Sequence, residues 1–266
     1  MTMAVDVAKE GSTAIVTLSG ATSRNAFDSS SIALISTTLN GLMDDPEVRS
    51  IVLTGTGRIF CAGADIDSFQ QAIEDNSIGE LVMELTGILH PLLVRMRGDP
   101  TIIIAAINGA AAGGGLGLAL ACDARIASNE ACLVSAFFRL GLSPDGGSTW
   151  LLPRLVGLQR ARTFLFNNET WDATTALEAG AIDEVVDSNE LLSRAKQLAI
   201  DWGKWANHSK KSTKQLLDSQ SSTFFETQLE FEQLLITQSS MSPEFVEGVK
   251  AFQEKRNPDF SNYSEE

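Results

Sequence analysis

The chain has 266 residues, 44% hydrophobic and 20% charged, a globular composition that excludes a disordered or fibrous protein. Its 20 lysines and arginines against 34 aspartates and glutamates leave a formal charge of −14, which repels phosphate backbones and argues against a nucleic-acid partner. Three cysteines, an odd number without paired spacing, provide no disulfide framework and fit a reducing compartment.

Residues 1–10 lack the basic start and apolar run of a signal peptide, and the purest apolar run, residues 102–107, is far too short to cross a bilayer. A cytoplasmic location without membrane contact is therefore expected. Residues 14–18 alternate and are β-branched, which predicts a strand. From Ser29 the period changes to that of a helix through Ile32, Ile35, Leu39 and Leu42, with Asp28 as its N-cap. Residues 50–55 read as a strand apolar on both faces, the pattern of a parallel sheet covered by helices. A helix over 78–96 and a strand over 101–107 repeat the alternation. A glycine-rich turn, an apolar helix over 116–121 and a strand over 124–127 repeat it again, which makes the fold class α/β. Residues 171–180 look like a capped helix ending on glycine, and 182–186 like a strand. Helices then dominate over 190–204, 213–217 and 223–236. Ser242-Pro243-Glu244 opens the last one and Asn257-Pro258 closes it. No linker interrupts the chain.

Several chemistries fail on inspection. There is no His-Glu-x-x-His, and the two histidines, His90 and His208, have no ligand cluster nearby, so both read as surface or structural residues. Phosphate-loop, dinucleotide and Gly-x-Ser-x-Gly patterns are absent. Cys61 reads as a small buried filler rather than a nucleophile. Two glycine-rich segments survive. Phe60-Cys61-Ala62-Gly63-Ala64-Asp65-Ile66 follows one strand, and Asn108-Gly109 with Gly113-Gly114-Gly115 lies between another strand and a helix. Small residues let backbone approach a ligand closely, and two N–H groups from separate segments aimed at one oxygen would stabilise an oxyanion. Taken singly, each segment is better explained by tight helix–sheet packing.

These two segments, with Arg24-Asn25-Ala26-Phe27, Cys122-Asp123 and Glu247-Gly248-Val249-Lys250-Ala251-Phe252, resemble the crotonase, or enoyl-CoA hydratase/isomerase, superfamily over nearly the whole chain. The resemblance implies a spiral of ββα repeats over residues 1–200 and a helical trimerisation region over 201–266, assembled as a homotrimer or dimer of trimers. It implies an acyl-CoA substrate, with CoA part of that substrate and no separate cofactor or metal. Ala62 and Gly114 would supply the two N–H donors to the thioester oxygen. Arg24, Ala26, Ala64, Asp65 and Ile66 fall where the family grips CoA. Phe252 and Lys255 match positions that often reach a neighbouring subunit's nucleotide.

Hydration needs two carboxylates, and the positions matching the family's hydratase acids are Gly117 and Phe137, neither of which titrates. One acid stands nearby, Asp145, in Ser143-Pro144-Asp145-Gly146-Gly147. By itself this is an ordinary turn sequence. In the family's context it is similar to the single catalytic acid of Δ3,Δ2-enoyl-CoA isomerases. Residues 136–154 resemble ring-1,2-epoxyphenylacetyl-CoA isomerases more closely still, which hints at phenylacetate degradation. Partial burial among Phe137, Leu142 and Trp150 would then suit Asp145 to both taking and returning a proton. Phe137, Phe138, Leu140, Leu142 and Trp150 would line the acyl pocket, or are simply core. Lys210, Lys211 and Lys214 would meet CoA phosphates, or form a solvated helix face, which is the plainer reading. An enoyl-CoA hydratase with atypical acids and a non-catalytic acyl-CoA-binding scaffold remain the alternatives.

Overall fold

The structure is a computed structural model and describes residues 4–20, 24–261 and 263. The first elements are two antiparallel strands, β1 (Ala4–Glu10) and β2 (Thr13–Ser19). Of the N-terminal stretch read only for targeting signals, residues 1–3 lie outside the described residues, and the remainder is β1. Helix α1 (Ser29–Asp44) begins where its cap predicts: Asp28 accepts from the Ser31 N–H at 2.7 Å while Ser31 Oγ accepts from the Asp28 N–H at 2.8 Å.

The core is a six-stranded sheet in the order β1-β2-β3-β5-β7-β10, parallel from β2 onward. Its central strands are β3 (Ser50–Gly55), β5 (Ile102–Ile107) and β7 (Ala124–Ser128), and its far edge is β10 (Glu184–Val186). Strand geometry turns alternate residues to opposite faces. Ile51, Leu53, Ile103, Ala105 and Ile107 therefore face the main core, whereas Val52, Ile102, Ile104 and Ala106 face α8 (Leu191–Gly203). Both faces are dry, which is why these strands read as unbroken apolar runs.

After each core strand the chain steps to a second sheet. Strands β4 (Ile59–Cys61), β6 (Ala110–Ala112) and β8 (Cys132–Val134) pair in parallel, and β9 (Thr170–Asp172) closes that sheet antiparallel. Helices follow each step: α2 (Ile66–Glu74) and α3 (Ile78–Gly98), then α4 (Gly114–Ala121), then α5 (Ser148–Val156) and α6 (Leu158–Phe166). The result is the expected spiral of ββα turns, with the ends of the second sheet's strands brought together on one side.

Helices α7 (Ala173–Ala179), α9 (Asn207–Ser219), α10 (Phe225–Ser240) and α11 (Pro243–Glu254) complete the chain. Arg49, buried at 6% exposure, fastens this extension to the core by donating to the carbonyls of Gly203 (3.0 Å), Trp205 (2.7 Å) and Phe260 (2.9 Å). The Glu247 motif is also a fastener: its carboxylate accepts from Arg256 (2.6 Å) and from the Asp259 N–H (2.9 Å), and these hydrogen bonds, that from Arg256 first, pull it down to about 2. No helix among the described residues is long and apolar enough to cross a membrane.

Candidate active site

A cavity of about 600 Å³ opens where the second sheet's strands end. Ala62 follows β4, Gly113 and Gly114 follow β6, and Val134 ends β8, so strand order alone lines these residues up along one wall. The opposite wall comes from α2 and α3. Val82, Leu85, Thr86 and Leu89 stand at helical spacing and all face the cavity, as does Phe69 from α2. The period of residues 78–96 marks a helix in the sequence, but not what its apolar stripe faces.

Of the residues singled out from sequence, Arg24, Ala26, Ala62, Ala64, Asp65, Ile66, Gly114, Leu142 and Asp145 all line this one cavity. Several others do not. Trp150 is 40% exposed and lies under the Arg154 guanidinium, 3.4 Å from its ring centre, outside the cavity wall. Phe252, 85% exposed on α11, and Lys255, which ends that helix, are also outside it. Phe137, Leu140 and Leu142 belong to the wall, whereas Phe138 turns away and meets Phe166 edge-on at 5.5 Å. The Lys210 and Lys214 reading needs correction: both are buried, at 7% and 8% exposure, and neither lines the cavity nor forms a solvated face. Lys214 pairs instead with Asp123 at 2.8 Å, whose same oxygen accepts from the Ile103 N–H, so the Cys122-Asp123 motif is a structural tie.

The backbone geometry also corrects one donor. The Ala62 N–H is already used, donating to the Arg24 carbonyl at 3.1 Å. At the next turn of chain, Phe27 donates to the Gly63 carbonyl (2.7 Å) and accepts from Asp65 (2.8 Å), a parallel bridge that leaves the intervening Ala64 N–H pointing the other way. Ala64 and Gly114 have no acceptor for their N–H among the described residues; Gly114 is the first residue of α4 and has no partner within the helix. The two segments run in contact, since a Cβ on Gly63 would lie 2.9 Å from Gly114 N. Asp65 caps α2, accepting from Ser68 N (3.0 Å) and Oγ (2.8 Å). Cys61 is fully buried, and burial pushes its thiol up to about 12, which removes it as a nucleophile at neutral pH.

Asp145 projects from a tight turn. Its carbonyl accepts from Ser148 N (3.2 Å) and Oγ (2.7 Å), and Gly146 and Gly147 follow at φ 61° and 71°. The turn packs directly on α4: a Cβ on Gly117 would fall 2.2 Å from the Gly146 carbonyl oxygen. The space beside Gly117, which the resemblance matches to one of the hydratase acids, is thus filled here by the backbone of the Asp145 turn. The Asp145 side chain is 36% exposed, and Leu142 and Trp150 beside it are exposed too, so the apolar enclosure expected around it is only half built, by Phe137. Its nearest polar neighbour is one that sequence reasoning set aside: His90 Nε2 donates to Asp145 Oδ1 at 2.6 Å. A separation of 55 residues hid that pair.

The family profile described as enoyl-CoA hydratase/isomerase matches residues 8–263. The chain belongs to this family. Among its relatives, a protein of Escherichia coli (strain K12) named 1,2-epoxyphenylacetyl-CoA isomerase is 36% identical over 89% of this chain and 90% of its own. A 4-chlorobenzoyl coenzyme A dehalogenase-1 of an Arthrobacter species is 34% identical over 80% of this chain and 77% of its own. A crystal structure of an enoyl-CoA hydratase from Polaromonas sp. JS666 superposes with a TM-score of 0.88 at 33% identity, covering 96% of this chain and 98% of that one. Relatives on this scaffold thus carry the names of more than one acyl-CoA reaction.

Proposed function

We propose that this protein is an acyl-CoA isomerase that uses one acid, shifting a double bond from Δ3 to Δ2 of an enoyl-CoA or opening the ring epoxide of a phenylacetyl-CoA. The observation that carries this reading is the contact between Gly117 and Gly146, which leaves no space for an acid at position 117; of the two carboxylates lining the cavity, Asp65 is engaged in capping α2, so Asp145 is the one left for the chemistry. The thioester oxygen accepts from Ala64 and Gly114, and this makes the C2 hydrogen acidic by stabilising the dienolate that forms. Asp145 takes that hydrogen as a proton and returns it at C4, so one C–H bond breaks, another forms and water is not consumed. For the epoxide, the same oxygen cradle stabilises the enolate-like charge as the ring opens. Arg24, at the cavity wall, supplies positive charge for the CoA end of the substrate on an otherwise acidic chain. The exposed apolar residues of α10 and α11, among them Ile236, Val246 and Phe252, suit the homotrimer, whose mass sedimentation would read.

Incubation with 3-hexenoyl-CoA, the phenylacetyl epoxide thioester and crotonyl-CoA separates the possibilities. Isomerisation of either of the first two, lost by about 10² to 10⁴ in rate in Asp145→Asn with binding retained, is the expected result. Water addition to crotonyl-CoA would instead favour a hydratase, and binding without turnover a scaffold. Unchanged turnover in Asp145→Asn would remove that residue from the mechanism.

The His90–Asp145 pair favours a second reading. A carboxylate beside an imidazole also suits hydrolytic displacement, in which the carboxylate attacks a carbon bearing a leaving group and the imidazole activates the water that frees the product. The relative named a 4-chlorobenzoyl coenzyme A dehalogenase makes a halogenated aromatic acyl-CoA the substrate to try. Halide release from 4-chlorobenzoyl-CoA would establish it.

A further inference from the structure

His90 is placed by the same helix that builds the cavity's outer wall. Thr86 and Leu89 of α3 face the cavity, and Leu89 reaches the Gly114 end, where a Cβ on that glycine would lie 3.6 Å from Leu89 Cδ2. His90 follows immediately, before Pro91, and its imidazole crosses to the Asp145 turn. The turn's backbone is already held from the other side by Ser148 and by the Gly117 contact. What remains free in Asp145 is rotation of its carboxylate, and the bond to His90 removes it by engaging Oδ1 alone. No second side-chain donor reaches either oxygen of Asp145 among the described residues.

We propose that His90 is a positioning residue for the isomerisation: it ties up one oxygen of Asp145 so that the other, Oδ2, is the single carrier of the proton between C2 and C4. The inference rests on the isomerase reading of Asp145. The proton balance is closed. It leaves C2 for Oδ2 and leaves Oδ2 for C4, while the His90 N–H stays where it is and lends its hydrogen bond throughout. Two consequences follow. A carboxylate held by one oxygen cannot swing its protonated edge toward solvent, so the transferred hydrogen is conserved. And because His90 touches the acid but does not line the cavity, its loss changes the chemical step and not substrate binding.

The test compares wild type, His90→Leu and His90→Gln turning over 3-hexenoyl-CoA in D2O, with kcat, KM and the deuterium content at C4 of the product as readouts. Hydrogen bonds to charged groups of this kind correspond to about 10- to 100-fold in rate, so His90→Leu should lose that much in kcat with KM within about twofold. Deuterium at C4 should rise severalfold in His90→Leu, and His90→Gln, which keeps a side-chain N–H, should restore both kcat and conservation of the label. A residue that only packed against the turn would alter kcat without altering the label. Equal label in all three proteins overturns the proposal, as does a fall in His90→Gln as deep as in His90→Leu. If wild type itself fails to isomerise, the reading of Asp145 falls; if wild type isomerises and His90→Leu matches it, only the role of His90 falls.

Discussion

At the scale of single residues, the proposed one-acid reaction depends as much on what Gly117 lacks as on what Asp145 carries. Alanine is ordinarily the better helix residue by about 1 kcal/mol. Here the added carbon would meet the Gly146 carbonyl at 2.2 Å, and neither the α4 backbone nor the turn can yield without moving Asp145. Gly117→Ala should therefore destabilise the protein by about 1–3 kcal/mol despite the propensity gain, and lower isomerisation at least about tenfold. Thermal melts and turnover of 3-hexenoyl-CoA check both. Gly117→Glu should not hydrate crotonyl-CoA; a stable Gly117→Glu protein that does so would show that this contact is not what keeps the site to one acid.

At the scale of elements, α1 shows how a short stretch of sequence sets its own boundary. Burial works against the charge on Asp28, but hydrogen bonds from Ser31 and Ser30 outweigh it and hold the carboxyl below its ordinary range. A folded value below the unfolded one contributes stability that is complete above the unfolded value, about 3.9, and is lost as pH falls through the folded one. Asp28→Ala should cost about 1 kcal/mol at neutral pH, read by urea denaturation, and the difference from wild type should shrink in acid. Helix α3 makes the complementary point. Its apolar stripe is plain in sequence, yet part of it, from Val82 to Leu89, lines a cavity as well, with Leu85 and Leu89 shared between the cavity wall and the packed core.

At the scale of the whole molecule, buried titratable groups behind the site set how stability responds to pH. Lys210 donates to the carbonyl of Gly203 at 3.1 Å. Burial first, and then the like charges of Arg49 and Lys214, push its amine down to about 7. Between about 7 and the unfolded value near 10.4, the unfolded chain holds one more proton, so stability rises with pH by at most about 1.4 kcal/mol per unit. Cys61 and Cys122 act oppositely: burial lifts both thiols to about 12, so above the unfolded value near 8.5 the folded chain keeps protons that the unfolded one loses. Two thiols outweigh one amine, and stability should peak between about pH 8 and 9. Denaturation midpoints from pH 6 to 10 test this; Lys210→Met should abolish the rise and leave the fall. The Asp123–Lys214 pair belongs to the same region, and Asp123→Asn, which strands a buried ammonium, should cost about 3–5 kcal/mol.

The α/β class, the cap of α1, the two-faced strands of the core sheet and the glycine segments at the site were all determined by sequence, because each depends on neighbours within a few residues in the chain. The short strands β4, β6 and β8 were not legible in that way, since their three residues carry too little period to register beside the glycine segments. Asp145 was likewise visible as the lone acid in a favoured turn. Tertiary structure alone decided that the free N–H belongs to Ala64 rather than Ala62, that Lys210 and Lys214 are interior, that Trp150 stands outside the cavity, and that His90 meets Asp145. Each of those outcomes turns on which way one group points across a contact between distant segments. Local pattern is blind to that, because the energy that selects the direction comes from the partner and not from the residue itself.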